Sequence, residues 1–202
     1  MNKATDRAAD HVESSAAWMR LAVSMALSTI GGVGMWSVMV ALPAIQADFG
    51  VARADASLPF TMVMVGFAGG GVLMGRLGDR YGIAVPLALG AVLMAAGYIA
   101  VGFAPNLWLV ALAHGLLIGV GCSVSFGPLM ADISHWFMRR RGIAVALAAS
   151  GNYLAGTFWP PVVQHFIAGS GWRATHIGIG VFCLVTMLPL VLLLRRRVES
   201  HH

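Results

Sequence analysis

Long apolar runs separated by short polar stretches repeat along most of this chain. Six runs cover residues 19–43, 57–76, 83–103, 107–131, 143–167 and 173–194. An apolar run of about 18 or more residues is long enough to cross a bilayer as an α-helix. The pattern predicts an all-α membrane protein in which six transmembrane helices, numbered here as spans 1 to 6, form one bundle over residues 18–194.

The segments that flank this bundle are polar. Residues 1–17 carry mixed charges and lack a cleavable signal pattern, so they predict a disordered cytoplasmic tail. Residues 195–202 start with three arginines and predict a short basic cytoplasmic tail. With the N-terminus inside, eleven of the thirteen Lys and Arg residues fall on the cytoplasmic side, and only Arg53 and Arg173 fall outside. The positive-inside rule therefore predicts a multi-pass protein of the cell membrane with both termini in the cytoplasm.

The composition belongs to a membrane protein and changes how the charge is interpreted. Hydrophobic residues make up 58% of the 202 residues and charged residues only 10%, whereas soluble domains carry about 25% charged residues. The net charge of +5 could suggest nucleic acid, but the arginines lie in short loops between apolar runs, where the positive-inside effect explains them better and contact with anionic lipid can add to it. We expect no nucleic-acid partner and no cofactor, and Cys122 and Cys183 lack metal-ligand spacing.

Glycines four residues apart predict close helix contacts in spans 2 and 4. The pairs are Gly66/Gly70, Gly71/Gly75 and Gly115/Gly119. Small residues at this spacing let helix backbones approach each other in lipid, where packing drives association. We therefore expect these glycines to lie at helix–helix interfaces.

A charged stretch between spans 2 and 3, residues 75–82, is predicted to be a loop. Gly78 is expected to provide the tight reversal, and Asp79 is expected to cap the helix that follows. Arg76 and Arg80 can pair with Asp79 on the cytoplasmic side. The residues Gly75, Leu77, Asp79, Arg80 and Gly82 resemble the G-x-L-x-D-R-x-G signature between helices 2 and 3 of the major facilitator superfamily. That resemblance implies a gating role for this stretch.

A second resemblance lies in the later half of the chain. The stretch 135–161, with Arg140, Arg141 and Gly142 at its corner, is similar to the loop and fifth helix of the monocarboxylate and oxalate–formate branch of the same superfamily. Residues 171–173, Gly-Trp-Arg, fit the start of the sixth helix of that branch. Together the motifs imply the N-terminal six-helix half of a twelve-helix transporter, with Arg140, Arg141 and Gly142 as further gating residues.

Few polar side chains fall near the middle of the predicted spans. In this superfamily helices 1, 2, 4 and 5 line the substrate cavity, which implies candidate cavity residues here: Trp36, His114, Asn152, Tyr153 and Trp159. An ionisable residue inside a membrane is costly, so His114 is either functional or a neutral imidazole that hydrogen-bonds to a neighbouring helix. Ordinary packing competes with ligand contact for the three aromatic residues, whereas the buried amide of Asn152 must find partners.

Ser150 and His176 could suggest an intramembrane serine protease. Span 5 begins on the cytoplasmic side near Ile143, which places Ser150 about 10 Å deep from that side. His176 lies in the first turn of span 6, close to the opposite interface, where we expect it to reach water. A serine and its base must approach within about 3 Å, so this dyad cannot form and no enzyme is predicted.

These observations predict a secondary active transporter of small organic solutes, with carboxylates as the class that the resemblance implies. Its mechanism would be alternating access by rocking of two six-helix bundles around a central site. One bundle cannot enclose such a site, so the chain is either a truncated product or a half that pairs with a second bundle, as a homodimer or with a separate chain. The alternative function is a non-transporting interaction or regulatory subunit. In the resembled branch, the basic residues that bind a carboxylate lie largely on later helices.

Overall fold

The computed structural model describes residues 14–199, with side chains described as far as Leu194. Within this range the fold is all-α, as predicted, and no strand occurs. The helices are α1 Ser15–Gly31, α2 Val33–Phe49, α3 Arg53–Ala56, α4 Leu58–Tyr81, α5 Ala84–Gly102, α6 Leu107–Ala113, a π-helix His114–Gly119, α7 Val120–Ser123, α8 Gly127–Trp136 and α9 Arg141–Glu199.

The predicted tails lie largely outside the described residues, which exclude 1–13 and 200–202. Helix α1 begins at Ser15, because the Ser14 side chain accepts a hydrogen bond from the backbone N–H of Ala17 at 3.3 Å. A capped helix start therefore lies inside the stretch that was predicted to be disordered. At the other end, the α9 backbone continues as helix through residues 195–199.

In the part of the chain that the structure describes, five helical stretches are long and apolar enough to cross a membrane: Ser15–Phe49, Arg53–Tyr81, Ala84–Gly102, Leu107–Trp136 and Arg141–Leu194. The last one reverses at Gly171, whose φ of 83° and ψ of 162° are accessible to glycine but strained for other residues. Its two arms are predicted spans 5 and 6. Span 1 consists of α1 and α2, span 2 is α4, span 3 is α5, and span 4 runs from α6 to α8. Each of the six predicted spans thus has a helical counterpart.

Span 1 is longer than predicted because Pro43 does not end it. Helix α2 continues to Phe49 and ends at Gly50, which adopts a left-handed φ of 62°. A proline inside a helix removes one backbone donor and disturbs the preceding turn. Pro43 is exposed on the surface of the bundle, and α2 continues past it to Phe49.

The stretch between spans 2 and 3 is helical rather than a loop. Helix α4 continues through Gly78 and Asp79 to Tyr81, and the chain reverses only at Gly82, with φ 79°. The Gly82 N–H donates to the Gly78 carbonyl at 2.8 Å. The predictions that Gly78 makes the reversal and that Asp79 caps the next helix are therefore wrong. One left-handed glycine is enough to turn the chain, and Ile83 precedes α5 without any side-chain cap.

The predicted glycine contacts form on one side of span 2 only. A Cβ added to Gly70 would lie 2.6 Å from Val120 Cα, and one on Gly119 would lie 2.7 Å from the Val63 carbonyl oxygen. Gly66 packs on the backbone of Gly115 in the same seam. The pair Gly71/Gly75 differs, because a Cβ on either residue would meet no atom within 4 Å. Neither of these glycines touches another described helix at its Cβ position, and Gly75 borders a cavity that α8 also lines.

An ion pair joins helices at each end of the bundle. The arginine end, defined by the corners at Gly82 and Arg140, contains a pair between Arg20 and Asp132, with Nε to Oδ2 at 2.8 Å and Nη2 to Oδ1 at 2.9 Å. Arg20 is buried and lies 4.7 Å from the Trp136 ring centre. This bidentate pair joins span 1 to span 4.

The opposite end, defined by the corners at Gly50, residues 103–106 and Gly171, has a more exposed pair. Arg173 donates to Asp48 Oδ2 at 3.2 Å and to the Ala104 carbonyl oxygen at 2.6 Å. The same Asp48 oxygen accepts from the Trp172 indole at 3.3 Å. Arg173 therefore connects span 1, the turn between spans 3 and 4, and the start of span 6.

Candidate functional site

Span 1 is interrupted near its middle, and span 5 covers the interruption. Helix α1 ends at Gly31 and α2 begins at Val33. The last carbonyls of a helix lack partners within it, and the Thr29 carbonyl accepts a hydrogen bond from the Trp159 indole Nε1 at 2.8 Å. Trp159 is only 5% exposed. In this conformation the indole nitrogen is hydrogen-bonded to the backbone beside the interruption of span 1 and does not face open space.

Asn152 and Trp36 lie along the same line between spans 1 and 5. A Cβ on Gly32 would lie 3.0 Å from Asn152 Oδ1, so the half-buried amide is next to the interruption. A Cβ on Gly156 would lie 2.7 Å from Trp36 Cζ2. The Trp36 indole nitrogen is buried and has no hydrogen-bond partner among the described residues. The fold thus brings three of the five candidate cavity residues to one helix pair.

Tyr153 points away from this group. Its side chain is 71% exposed, and no hydrogen bond of its hydroxyl is found among the described residues. In a membrane such a ring contacts lipid or another protein segment. Trp159, on its other side, also lines an apolar groove of about 490 Å³ between the two arms of α9.

His114 lies on a different side of the bundle. It is fully buried, and its Nδ1 is 2.8 Å from the Val110 carbonyl oxygen. Its ring centre lies 5.6 Å from that of His176 in span 6. The expectation that His176 reaches water at the interface is wrong, because that side chain is also fully buried and packs against Tyr98 of span 3. Ser150 instead donates to the Leu147 carbonyl oxygen at 2.6 Å.

Span 4 is irregular where it meets the interruption of span 1. A π-helix covers His114–Gly119, and a non-helical turn at Val124–Phe126 separates α7 from α8. A Cβ on Gly31 would lie 2.6 Å from Ser125 Cβ, so the two interruptions are in contact. This junction was not predicted from the sequence, although the Gly31-Gly32 pair and the Gly127-Pro128 helix start are signals that could have indicated it.

Asp79 borders a polar cavity at the arginine end. This cavity has a volume of about 280 Å³ and is lined by Gly75, Gly78, Asp79, Gly82, Ile83, Pro128, Ala131, Asp132 and His135. Asp132 is held by Arg20, whereas Asp79 is exposed and belongs to neither salt bridge found among residues 14–194. The expected pairing of Asp79 with Arg76 or Arg80 does not occur in this conformation. Arg80 instead lies 5.3 Å from the Tyr81 ring centre.

The remaining predicted gating residues surround two corners of the same end. Leu77 is half-buried against the core. Arg141 donates to Ser134 Oγ at 3.4 Å across the corner between spans 4 and 5. Arg140 and Gly142 are exposed beside it. Within the described part of the chain, no group of three or more His, Cys, Asp or Glu residues is arranged to hold a metal ion.

Comparisons with known proteins agree with this architecture. The sequence profile described as Major Facilitator Superfamily matches residues 24–202. The chain is 33% identical to the MFS-type transporter pynF of Aspergillus niger over 128 residues, which are 63% of this chain and 30% of that protein. It is 27% identical to monocarboxylate transporter 11 of Homo sapiens over 181 residues, 87% of this chain and 38% of that protein.

A third relative, monocarboxylate transporter 6 of Mus musculus, is 28% identical over 182 residues, or 89% of this chain and 39% of that protein. The chain therefore spans only 30% to 39% of the length of these three relatives. In the two monocarboxylate transporters the similarity extends over nearly all of this chain.

Proposed function

This chain belongs to the major facilitator superfamily, a family of transporters rather than enzymes, and from that membership we propose that it works as one bundle of a secondary active transporter. The proposed substrates are small organic solutes, with carboxylates as the class. Support for that class comes from the names of two relatives as monocarboxylate transporters. The resemblance of residues 135–173 to the same branch agrees with it.

The charge distribution of the bundle requires a second component for carboxylate transport. Residues 14–194 contain no lysine, and their arginines lie at the ends of the spans or in the connections between them. An anion in the middle of a low-dielectric bundle without a cationic partner would be strongly disfavoured. A second six-helix bundle, provided by a second copy, by a separate chain or by further sequence of a longer polypeptide, would supply the missing basic residue.

Span 2 offers a surface on which such a bundle can pack. Val65 and Val72 are 62% and 57% exposed on one side of this helix. Gly71 and Gly75, on the same side, have open space where a Cβ would be. In lipid, helix surfaces rich in small residues allow a neighbouring backbone to approach closely. This face lies on one of the spans that line the cavity in the resembled family.

The arginine end is proposed as a gate between the bundles. Its residues are Gly75, Leu77, Asp79, Arg80, Gly82, Arg140, Arg141 and Gly142. Asp79 supports this role because it is exposed beside a polar cavity and lacks an ion-pair partner among residues 14–194. A carboxylate in that position can accept hydrogen bonds from a helix N-terminus or pair with a cation of the second bundle. In this proposal the protein lies in the cell membrane, and the arginine end and both termini lie on its cytoplasmic side.

Co-reconstitution tests the proposed function. Liposomes would contain this chain together with the C-terminal six-span half of a monocarboxylate transporter, and uptake of labelled lactate and formate would be measured. Saturable uptake that needs both halves is expected. If the assembled pair binds the labelled acids no better than either half alone, the carboxylate proposal is contradicted, and the alternative of a non-transporting membrane subunit gains support.

A further inference from the structure

Two histidines meet in the interior of the bundle, away from the proposed cavity residues of spans 1 and 5. His114 of span 4 and His176 of span 6 are both 0% exposed. Their ring centres are 5.6 Å apart and their planes are inclined by 76°. His114 also opens the π-helix His114–Gly119, and π-helical turns are rare and occur frequently at functional sites.

The backbone fixes the protonation of both rings. Nδ1 of His114 is 2.8 Å from the Val110 carbonyl oxygen, and Nδ1 of His176 is 2.7 Å from the Trp172 carbonyl oxygen. A carbonyl oxygen only accepts hydrogen bonds, so each Nδ1 must carry a hydrogen. In a neutral imidazole the other nitrogen, Nε2, is then an acceptor. Both Nε2 atoms are buried, and neither has a hydrogen-bond donor among the described residues.

The surroundings do not favour a charged ring. The His176 ring packs against Tyr98 and Trp172, with ring centres 5.6 Å and 5.7 Å away. The two ion pairs found among residues 14–194 involve neither histidine. An imidazolium without a counter-ion in this interior would be strongly disfavoured. Each of the two neutral rings therefore has an acceptor atom that lacks a donor, and one neutral molecule that donates twice would satisfy both.

We propose that Nε2 of His114 and Nε2 of His176 bind one water molecule, which donates one hydrogen to each ring. Buried waters typically make about three hydrogen bonds to polar groups that would otherwise lack a partner. The hydroxyls of Tyr98, whose ring packs against His176, and of Ser37 are 2.6 Å apart and use only one of their two hydrogens between them, so one hydroxyl hydrogen remains for a further acceptor. The bound water would connect spans 4 and 6 directly, and a bond from the remaining hydroxyl hydrogen would extend this network to spans 1 and 3.

Magic-angle-spinning NMR of the full chain in lipid bilayers, with ¹⁵N-labelled histidine, tests this site directly. We expect both buried rings to carry hydrogen on Nδ1 only and both Nε2 signals to have the shift of a hydrogen-bonded acceptor. Magnetisation should transfer from water to both Nε2 atoms. Nε2 signals of free acceptors without transfer from water, an imidazolium, or a metal-shifted nitrogen would each overturn the proposal.

A variant distinguishes one shared water from two separate ones. His176→Phe keeps an aromatic ring and removes one of the acceptors that hold the water, so the transfer from water to His114 Nε2 should be clearly reduced. His165→Phe is the matched control, because His165 is exposed on span 5 and its replacement should leave both buried signals unchanged. An undiminished water signal at His114 in His176→Phe would contradict a shared site. Should that variant fail to fold, the wild-type spectrum alone still decides whether both Nε2 atoms are bound to water.

Discussion

The indole Nε1 of Trp159 donates a hydrogen bond to the Thr29 carbonyl oxygen at 2.8 Å, and this bond joins span 5 to span 1 beside the interruption at Gly32. Removing the donor would leave a part-buried carbonyl unsatisfied at the point where helix α1 ends. The bond thus connects an aromatic residue of span 5 with the conformation of its neighbouring span.

Trp159→Phe keeps an aromatic ring and removes this donor, together with part of the packing volume of the indole. We expect the free energy of unfolding to fall by about 1 to 3 kcal/mol, the cost of an unsatisfied buried polar group. Equilibrium unfolding in mixed micelles measures the change. Trp108→Phe is the control, since Trp108 is 71% exposed. Equal stability of the two variants would show that the Trp159 hydrogen bond does not hold span 1.

The two ion pairs should differ in their contribution to stability. Asp132→Asn leaves the buried Arg20 without its bidentate partner, and breaking a buried pair typically costs about 3 to 5 kcal/mol. Asp48→Asn affects a pair whose side chains are 38% and 45% exposed, and such pairs contribute about 1 kcal/mol or less. The same unfolding assay applies to both variants. If both variants lose a similar free energy of unfolding, burial does not determine how much each ion pair contributes to stability.

Two glycines of span 2 provide a matched test of its two faces. Gly66→Ala would place a Cβ against the Gly115 carbonyl oxygen, so we expect a loss of about 1 to 3 kcal/mol from overpacking. Gly71→Ala meets no atom within 4 Å and should stabilise the isolated bundle by up to about 1 kcal/mol through helix propensity. In the co-reconstituted pair, Gly71→Ala should instead weaken assembly. If Gly71→Ala leaves assembly of the pair unchanged, this face of span 2 is not part of the interface between the bundles.

Apolar periodicity located the six spans because a run of membrane-spanning length is a local property of the sequence. The apolar pattern gave wrong predictions where contacts with a neighbouring helix determine the local structure. Gly78 and Gly82 both permit a reversal, and only packing of the flanking helices selects Gly82. His176 was expected near water because depth can be counted from the sequence, whereas its burial depends on which face span 6 turns towards Tyr98. The contact between Gly31 and Ser125 joins residues far apart in the chain and could not be predicted either.

Asp79→Asn tests the proposed gate. The substitution removes a negative charge without changing the side-chain shape, so expression and stability should be preserved because Asp79 is exposed. We expect uptake by the co-reconstituted pair to slow roughly tenfold, equivalent to about 1.4 kcal/mol in the barrier. Labelling of cysteines placed at each end should shift towards one conformation. Asp55→Asn, an exposed carboxylate near the opposite end, is the control, and unchanged uptake and labelling in Asp79→Asn would rule out a gating role.

Uptake of labelled formate, lactate or oxalate into liposomes that contain only this purified chain tests the central claim, that one bundle is insufficient for carboxylate transport. The spans lack a cation at mid-depth, so we expect no saturable uptake and no useful affinity for these anions. Robust saturable uptake that is abolished by His114→Ala would contradict the claim. It would show that copies of this chain form a complete transporter and that His114 takes part in substrate binding.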